Sequence, residues 1–372
     1  MSIQTLPSTP STEEIQVVPP DPPQSRRMPR RIRVYAPDDW LALIGSLLAS
    51  FALVTVGYEH LLDGSGTLGY LVCWYLVFDV VYAAVLSVTN PRAIVVERLV
   101  TASLYLAAAV VVFALGTTVV YTFWQGWRAF VHINFFTHTM AAVSPTASLD
   151  HGGILHAIVG TAVEVGIAVA VSVPLGIGTA VYMTEVGRRG AQLVRTVVEA
   201  MTALPEILAG LFVYVVLIVG FQLPKSGLAV SAAMAVTMIP IVARASEVAL
   251  RIVPGGLREA SIALGATHWR TVRKVVLPSA RAGLATATIL AIARGIGETA
   301  IPLITSGASS FMQVNPTQNP MNSLPLLIYT SYTTHEPLQV TRAFGAASVL
   351  LTMVVLLFVV IRFLLRDKAV RR

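Results

Sequence analysis

Residues 254–278 read Pro254-Gly-Gly-Leu-Arg-Glu-Ala-Ser-Ile-Ala-Leu-Gly-Ala-Thr-His-Trp-Arg-Thr-Val-Arg-Lys-Val-Val-Leu-Pro278. This segment is too polar to cross a membrane and too apolar to form an unstructured loop. Its first half suits a short helix, which Gly265 can end because glycine adopts a positive φ at little cost. Thr267 can cap a second helix that runs to about Val276, and Pro278 stands where a further helix begins. The segment therefore predicts two short helices joined at a glycine.

Long apolar runs flank this segment on both sides. The chain has 372 residues, of which 55% are hydrophobic and only 12% charged, whereas a soluble domain carries about 25% charged residues. A membrane-spanning helix needs about 20 mostly apolar residues. The sequence therefore predicts an all-α integral membrane protein, a polytopic bundle of about eight transmembrane helices. The eight candidates lie near 40–58, 68–88, 98–121, 155–183, 203–221, 226–250, 280–304 and 343–365.

Basic residues collect on one side of these spans. If the N-terminus is cytoplasmic, the outer loops keep only Arg128, Lys225 and Arg342. This distribution follows the positive-inside rule, so we expect a multi-pass plasma-membrane protein with both termini in the cytoplasm. The same rule accounts for the net charge of +7 without a nucleic-acid partner. The residues assigned to the cytoplasmic side are Arg92, Arg98, Arg188, Arg189, Arg195, Arg251, Arg258, Arg270, Arg273, Lys274, Arg281, Arg366, Lys368, Arg371 and Arg372.

The polar segments outside the spans differ in character. Residues 1–39 are polar and contain seven prolines between Pro7 and Pro29, which predicts a disordered cytoplasmic tail. Residues 367–372 form a basic cytoplasmic tail. Two outer loops, at about 122–154 and 305–342, are long. The second is either a solvated linker or a docking surface for an extracytoplasmic partner, and composition does not separate the two.

Several kinds of site are excluded by residue type. A single cysteine, Cys73, rules out an internal disulfide and a multi-cysteine metal site, and the seven histidines have no ligand spacing. No Gly-x-x-x-x-Gly-Lys-[Ser/Thr] loop occurs, since none of the three lysines follows a glycine. We therefore predict no metal, no cofactor bound by this chain and no enzymatic activity of the chain alone.

The segment quoted above resembles the coupling motif of ABC importer permeases, which reads Glu-Ala-Ala, three residues, Gly, nine residues, Ile, one residue, Leu-Pro. Ser261 replaces the second alanine and Val275 replaces the isoleucine. The resemblance implies a type I permease fold whose segment docks on an ABC ATPase dimer, which uses the ATP. The matching residues, expected to couple this chain to the ATPase, are Glu259, Ala260, Ser261, Gly265, Val275, Leu277 and Pro278.

A charged pair stands inside the predicted seventh span. Arg294 lies 13 residues beyond Arg281, which is about 20 Å along a helix into a core of about 30 Å. Glu298 is four residues further on, so a continuous helix would place both on one face. The two side chains form either a structural ion pair or a substrate contact. An arginine fork suits a tetrahedral oxyanion, and a carboxylate accepts a proton from phosphate but repels fully ionised sulfate.

A second resemblance favours the substrate contact. Residues Ala293–Leu303 are similar to the Arg-x-x-Gly-Glu-Thr-Ala-Pro-Leu stretch of phosphate importer permeases, with one extra residue between Ala300 and Pro302. Residues Pro320–Tyr329 are similar to the PstA-type subunit of that family. The likeness covers about 98–366 and implies that Arg294 and Glu298 line a pathway for inorganic phosphate.

The resemblance also implies partners and leaves alternatives. The partners would be a second permease subunit of the PstC type, the ABC ATPase dimer and an extracytoplasmic phosphate-binding protein. The helix pair at 40–90 is added in front of the usual six-helix core. A permease for another oxyanion, molybdate or sulfate, is the nearest alternative, and a secondary transporter is a more distant one. Glu164, in the fourth span, we interpret as a structural carboxylate.

Overall fold

The computed structural model describes residues 37–60, 66–186 and 190–366. Residues 1–36 of the predicted tail 1–39, the predicted tail 367–372, and Arg188 and Arg189 lie outside these ranges. Residues 37–39 belong to a helix, so the predicted tail extends three residues too far. Within them the secondary structure is helical, with one isolated bridge between Gly307 and Met321 and no strand. The predicted all-α class is therefore confirmed.

The helix bounds agree with the predicted spans at most positions. Seven helices are long and apolar enough to cross a membrane, and a bent pair supplies an eighth. Three helical stretches, Tyr182–Val186, Tyr214–Gly220 and Val272–Val276, have the wider π-type turn. The α-helices are α1 Pro37–His60, α2 Thr67–Thr89, α3 Arg92–Phe130, α4 Asn134–Thr137, α5 Leu155–Val181, α6 Gly190–Thr202, α7 Glu206–Val213, α8 Gly227–Arg251, α9 Gly255–Ala263, α10 His268–Thr271, α11 Leu277–Ile296, α12 Ala300–Thr305, α13 Leu324–Thr333 and α14 Pro337–Arg366.

The described residues fall into two compact units that divide between Val111 and Val112, inside α3. In the first unit, α1 and α2 are antiparallel and joined by polar side chains. Thr55 and Tyr70 share a hydrogen bond of 2.8 Å, and the indole of Trp74 donates to the Ser50 hydroxyl at 3.2 Å.

The second unit is built around α8, which packs against α5 and α11. Small residues allow these backbones to approach closely, as is usual in membrane bundles. A Cβ added at Gly176 of α5 would lie 2.6 Å from the Cβ of Val242, and one at Gly283 of α11 would lie 2.5 Å from that of Ala249. The buried core between these helices includes Val230, Ala233, Met234, Met238 and Ile301.

The predicted fifth span, 203–221, is present as one continuous helical stretch over 206–220, in which α7 is followed by the wide turns Tyr214–Gly220. The helix α6, which lies before the predicted span, is joined to α7 by a bend of 98°. Pro205 precedes the first residue of α7 and disfavours helical geometry in the residue before it, which explains the break. The helix α6 lies along the end of α8, held there by Arg195–Glu247 at 2.7 Å and Arg244–Glu199 at 2.8 Å.

The seventh span departs from its predicted form at one end. At its start, α11 begins at Leu277 with Pro278 in its first turn, as predicted, and the helical path is continuous from His268 to Ile296. The wide turn Val272–Val276 directly before Pro278 relieves the clash that a proline ring makes with the preceding turn. At the other end, α11 stops at Ile296 and α12 starts at Ala300. Pro302 offers no N–H to the carbonyl four residues back, which prevents one continuous helix.

Candidate transport pathway and coupling surface

Two helix breaks meet at a partly exposed ion pair. Arg294 is in the last turn of α11, Glu206 is the first residue of α7, and α7 packs against α12. The Arg294 guanidinium pairs with the Glu206 carboxylate. Proline before Glu206 and the acidic side chain at that helix start are signals that could have located this residue in the sequence. Sequence reasoning missed it because its contact with Arg294 depends on how distant helices pack.

The exposure of this pair is informative. The Arg294 side chain is 53% exposed in the single chain and that of Glu206 is 30% exposed. At the depth that the sequence predicts for Arg294, a charge costs at least about 3 kcal/mol against lipid. We therefore expect its exposed side to face water or a second protein rather than acyl chains.

Glu298 does not pair with Arg294 in the expected way. The helix ends before it, so the prediction that both lie on one face of a continuous helix is wrong. The Glu298 carboxylate instead accepts the backbone N–H of Ala300 at 2.9 Å and that of Ile301 at 3.5 Å. It thereby satisfies two of the unpaired donors at the start of α12.

Arg294 and Glu298 nevertheless line one small cavity. Its volume is about 10 Å³, room for about one water molecule. Gly295 completes the α11 side, and the α8 side consists of Met234, Thr237, Met238 and Ile241. A cation with fixed donors and a carboxylate thus face the same space at the break in the seventh span.

The coupling segment has the predicted form. Gly265 has a φ of +80°, and the Thr267 hydroxyl accepts the backbone N–H of Arg270 at 3.4 Å. The Ser261 and Thr271 hydroxyls, one from each short helix, are 2.9 Å apart. The expected pair of helices joined at a glycine is confirmed, with the second helix continuing into α11.

Some of the residues expected to couple this chain to the ATPase are exposed, and the others are half-buried. Glu259, Ala260 and Gly265 are exposed, as is Pro278, while Ser261, Val275 and Leu277 are half-buried. Large apolar side chains are also exposed on this segment, with Leu264 at 89% and Trp269 at 62%. An apolar, exposed knob of this kind is suited to a protein partner.

Arg258 connects the coupling helix to two spans. Its guanidinium donates to the Glu185 carboxylate at 2.9 and 3.2 Å, just beyond the end of α5. It also donates to the carbonyl oxygens of Leu250 at 3.0 Å and Val253 at 2.8 Å, at the end of α8. One side chain of α9 is therefore bonded to the C-terminal ends of both α5 and α8.

Hydrogen bonds hold the two long loops, at about 122–154 and 305–342, against the helix bundle. The Ser306 hydroxyl donates to the buried Glu164 carboxylate at 3.5 Å, and the backbone N–H of Leu324 donates to the Thr161 hydroxyl at 2.8 Å. Arg342 is 3% exposed and donates to three carbonyl oxygens of the loop 147–151. The contact of Glu164 with Ser306 agrees with its interpretation as a structural carboxylate.

Comparison with known proteins gives consistent likenesses. Residues 172–372 match the family described as "Binding-protein-dependent transport system inner membrane component". The chain is 39% identical over 231 residues to "Phosphate transport system permease protein PstA 1" of Mycobacterium tuberculosis (strain CDC 1551 / Oshkosh), covering 62% of this chain and 75% of that protein. It is 34% identical over 218 residues to "Phosphate transport system permease protein PstA" of Haemophilus influenzae, covering 56% and 75% respectively. A chain of the inward-facing MetNI methionine ABC transporter is 24% identical, with a TM-score of 0.46, covering 58% of this chain and 94% of that one.

Proposed function

The chain belongs to the binding-protein-dependent transport system inner membrane components, and on that premise we propose that it is the PstA-type permease subunit of an ATP-driven phosphate importer. It carries inorganic phosphate into the cytoplasm together with a second permease subunit of the PstC type. An extracytoplasmic phosphate-binding protein delivers the substrate. An ABC ATPase dimer, docked on 254–278, hydrolyses the ATP. Both termini are cytoplasmic.

The observation that carries this proposal is Arg294. It is a half-exposed arginine at the point where two helices are interrupted, and the sequence predicts that it lies about 20 Å into the membrane. Interrupted helices near the membrane midplane are a recurring way to expose polar groups to a transported ion. The guanidinium provides a planar set of donors that matches two oxygens of a tetrahedral oxyanion.

Glu206 gives Arg294 a partner while no phosphate is present. A lone buried cation would be costly, and the Glu206 carboxylate offsets that cost. The cavity beside the pair, at about 10 Å³, is too small for phosphate. In the transport step the pathway therefore widens, and phosphate replaces Glu206 on the Arg294 fork.

Glu298 contributes selectivity in this scheme. Phosphate near neutral pH keeps at least one P–OH, which donates to a carboxylate, whereas sulfate has no such proton. A sulfate ion next to Glu298 would face repulsion with no compensating hydrogen bond. The same arrangement that admits phosphate would thus reject sulfate.

The test is labelled-phosphate uptake by the assembled complex in cells that lack other phosphate importers. Arg294→Gln is expected to reduce uptake to background, and Arg294→Lys to reduce it at least tenfold, because an ammonium lacks the fork. Glu206→Gln, which leaves Arg294 charged, is expected to retain most of the uptake. Arg128→Gln, at an exposed arginine near the end of α3, is the matched control and should leave uptake unchanged.

A double variant separates the substrate contact from a structural ion pair. Arg294→Gln combined with Glu206→Gln removes both charges. If the two residues only pair with each other, this variant should recover uptake. Uptake at background, with normal membrane abundance and assembly, is the expected result. Near-normal uptake would contradict the assignment of Arg294 to phosphate.

A further inference from the structure

A large apolar cavity lies in the first unit, between α1, α2 and the first part of α3. We call it the N-terminal cavity. Its volume is about 870 Å³, toward the upper end of the range for small-molecule sites. Its lining includes Leu43 and Leu47 of α1, Trp74 and Phe78 of α2, and Leu106 and Ala109 of α3. Several of these side chains keep a large exposed fraction in the cavity, so the three helices do not close over it.

The helices around the cavity are held in place by specific contacts. The Tyr75 hydroxyl of α2 donates to the Ser103 hydroxyl of α3 at 2.8 Å. Tyr82, Leu86 and Val95 form a buried cluster that joins the end of α2 to the start of α3. The cavity is thus a fixed gap of the fold, and a gap of this size inside a membrane is filled by something apolar.

The length of the cavity matches one leaflet of a bilayer. Along α3 its lining runs from Arg98 to Val110, a rise of about 18 Å. Half of a hydrocarbon core of about 30 Å is about 15 Å. A transmembrane helix of another protein would need a groove about twice as long.

The ends of the cavity differ in polarity. Trp40 and Arg98 line the end near the start of α1 and α3, and Arg92 is at the first residue of α3. Towards Val110 the lining is apolar. An indole and a guanidinium at one end of an apolar space are the groups that meet a lipid headgroup at the membrane interface.

We propose that the N-terminal cavity binds an anionic phospholipid of the cytoplasmic leaflet, with its acyl chains between α1, α2 and α3 and its phosphate end at Arg98. The choice of leaflet rests on the membrane orientation proposed above and not on the transported substrate. The appended helix pair then supplies a lipid site to the permease. The lining is only one leaflet long and has a basic residue at one end only. A lipid fits both features, whereas a partner helix would need a longer groove.

The experiment uses the full chain in its assembled complex, reconstituted in vesicles. The probes are phosphatidylglycerol and phosphatidylcholine with the same photoactivatable acyl chain. After irradiation, labelled peptides are located by mass spectrometry. Labelling is expected at 71–78 and 98–110. Phosphatidylglycerol should label these segments about fivefold more than phosphatidylcholine, because one basic residue near the membrane surface attracts an anionic lipid by about that factor.

Two pairs of matched variants test the site. Ala109→Trp fills the cavity, whereas Ala108→Trp places the same ring on the neighbouring position of α3 outside the lining. At least a fivefold loss of labelling is expected for the first variant and none for the second. Arg98→Gln should abolish the preference for the anionic lipid, whereas Arg92→Gln should keep it.

Three results would overturn the proposal. One is equal labelling of Ala109→Trp and Ala108→Trp. Another is no preference between the two lipids in the unmodified chain. The third is labelling of the isolated chain that disappears in the assembled complex, since a partner helix would then occupy the cavity. Should Ala109→Trp fail to assemble, Leu106→Trp repeats the comparison one turn earlier. None of these outcomes depends on phosphate uptake, so a failure of this proposal leaves the transport proposal untouched.

Discussion

At the scale of single residues, Glu298 combines two tasks. Its carboxylate caps α12 through Ala300 and Ile301 and also lines the cavity beside Arg294. The two tasks need different properties of the side chain. Capping needs an acceptor oxygen, whereas discrimination against sulfate needs a negative charge.

Glutamine separates these properties, because it keeps the acceptor and removes the charge. We expect Glu298→Gln to change the stability of the complex by less than about 1 kcal/mol and to let sulfate compete with phosphate for uptake. Glu298→Ala should lower the stability by about 1 kcal/mol through the lost cap. The measurements are the Tm of the purified complex and phosphate uptake with sulfate added in excess. Unchanged exclusion of sulfate by Glu298→Gln would contradict the selectivity role.

The position of Arg294 could be inferred from the sequence, but its partner could not. An arginine 13 residues into an apolar span is expected either to line a polar pathway or to form a buried ion pair, because an unpaired charge there is costly. The i,i+4 rule then points to Glu298, and it fails because α11 ends at Ile296. Glu206 is 88 positions earlier in the chain. Its contact with Arg294 arises from how α7 packs on α12, which no local pattern encodes.

At the scale of elements, the coupling helix α9 is bonded to the spans through Arg258. The helix itself was predictable, since Gly265 and Thr267 are local signals of a helix end and a helix start. The contact with Glu185 was not, because it joins residues 73 positions apart. If the ATPase moves α9, the hydrogen bonds of Arg258 would transmit that movement to α5 and α8.

Removing that connection should uncouple hydrolysis from transport. We expect Arg258→Ala to raise the ATP hydrolysed per phosphate imported by several-fold, with Arg258→Lys intermediate, because lysine can replace only part of the hydrogen bonds. Arg251→Ala is the control, since its 2.7 Å ion pair with Glu247 stays within α8. The ratio is measured in vesicles that contain the whole importer. If Arg258→Ala and Arg251→Ala give the same ratio, Arg258 only stabilises the fold.

At the scale of the whole molecule, the number of spans follows from composition. Eight apolar runs were readable because a membrane imposes a length rule on every span, and the asymmetry of the basic loops predicts their orientation. The helix break inside the seventh span was not readable, because hydropathy is averaged over a window. The three residues between Ile296 and Ala300 change that average too little to show.

Cysteine labelling tests the orientation, and the single native cysteine makes the background simple. In a Cys73→Ser chain, Thr146→Cys and Ser310→Cys should react with a membrane-impermeant maleimide in intact cells, because both lie in exposed outer loops. Gly256→Cys, exposed at the start of α9, should react only after the membrane is opened. Labelling of Gly256→Cys in intact cells would reverse the assignment of inside and outside.

The contacts of α6 also set conditions on how the chain is made. The 13 residues of α6 reach about 20 Å, which is too short to cross the bilayer. Its Arg195 and Glu199 pair with Glu247 and Arg244 of α8, which are 52 and 45 positions later in the chain. When α6 leaves the ribosome, neither of these partners has been synthesised. We therefore expect α6 to take its place along the end of α8 only after the sixth span has been made.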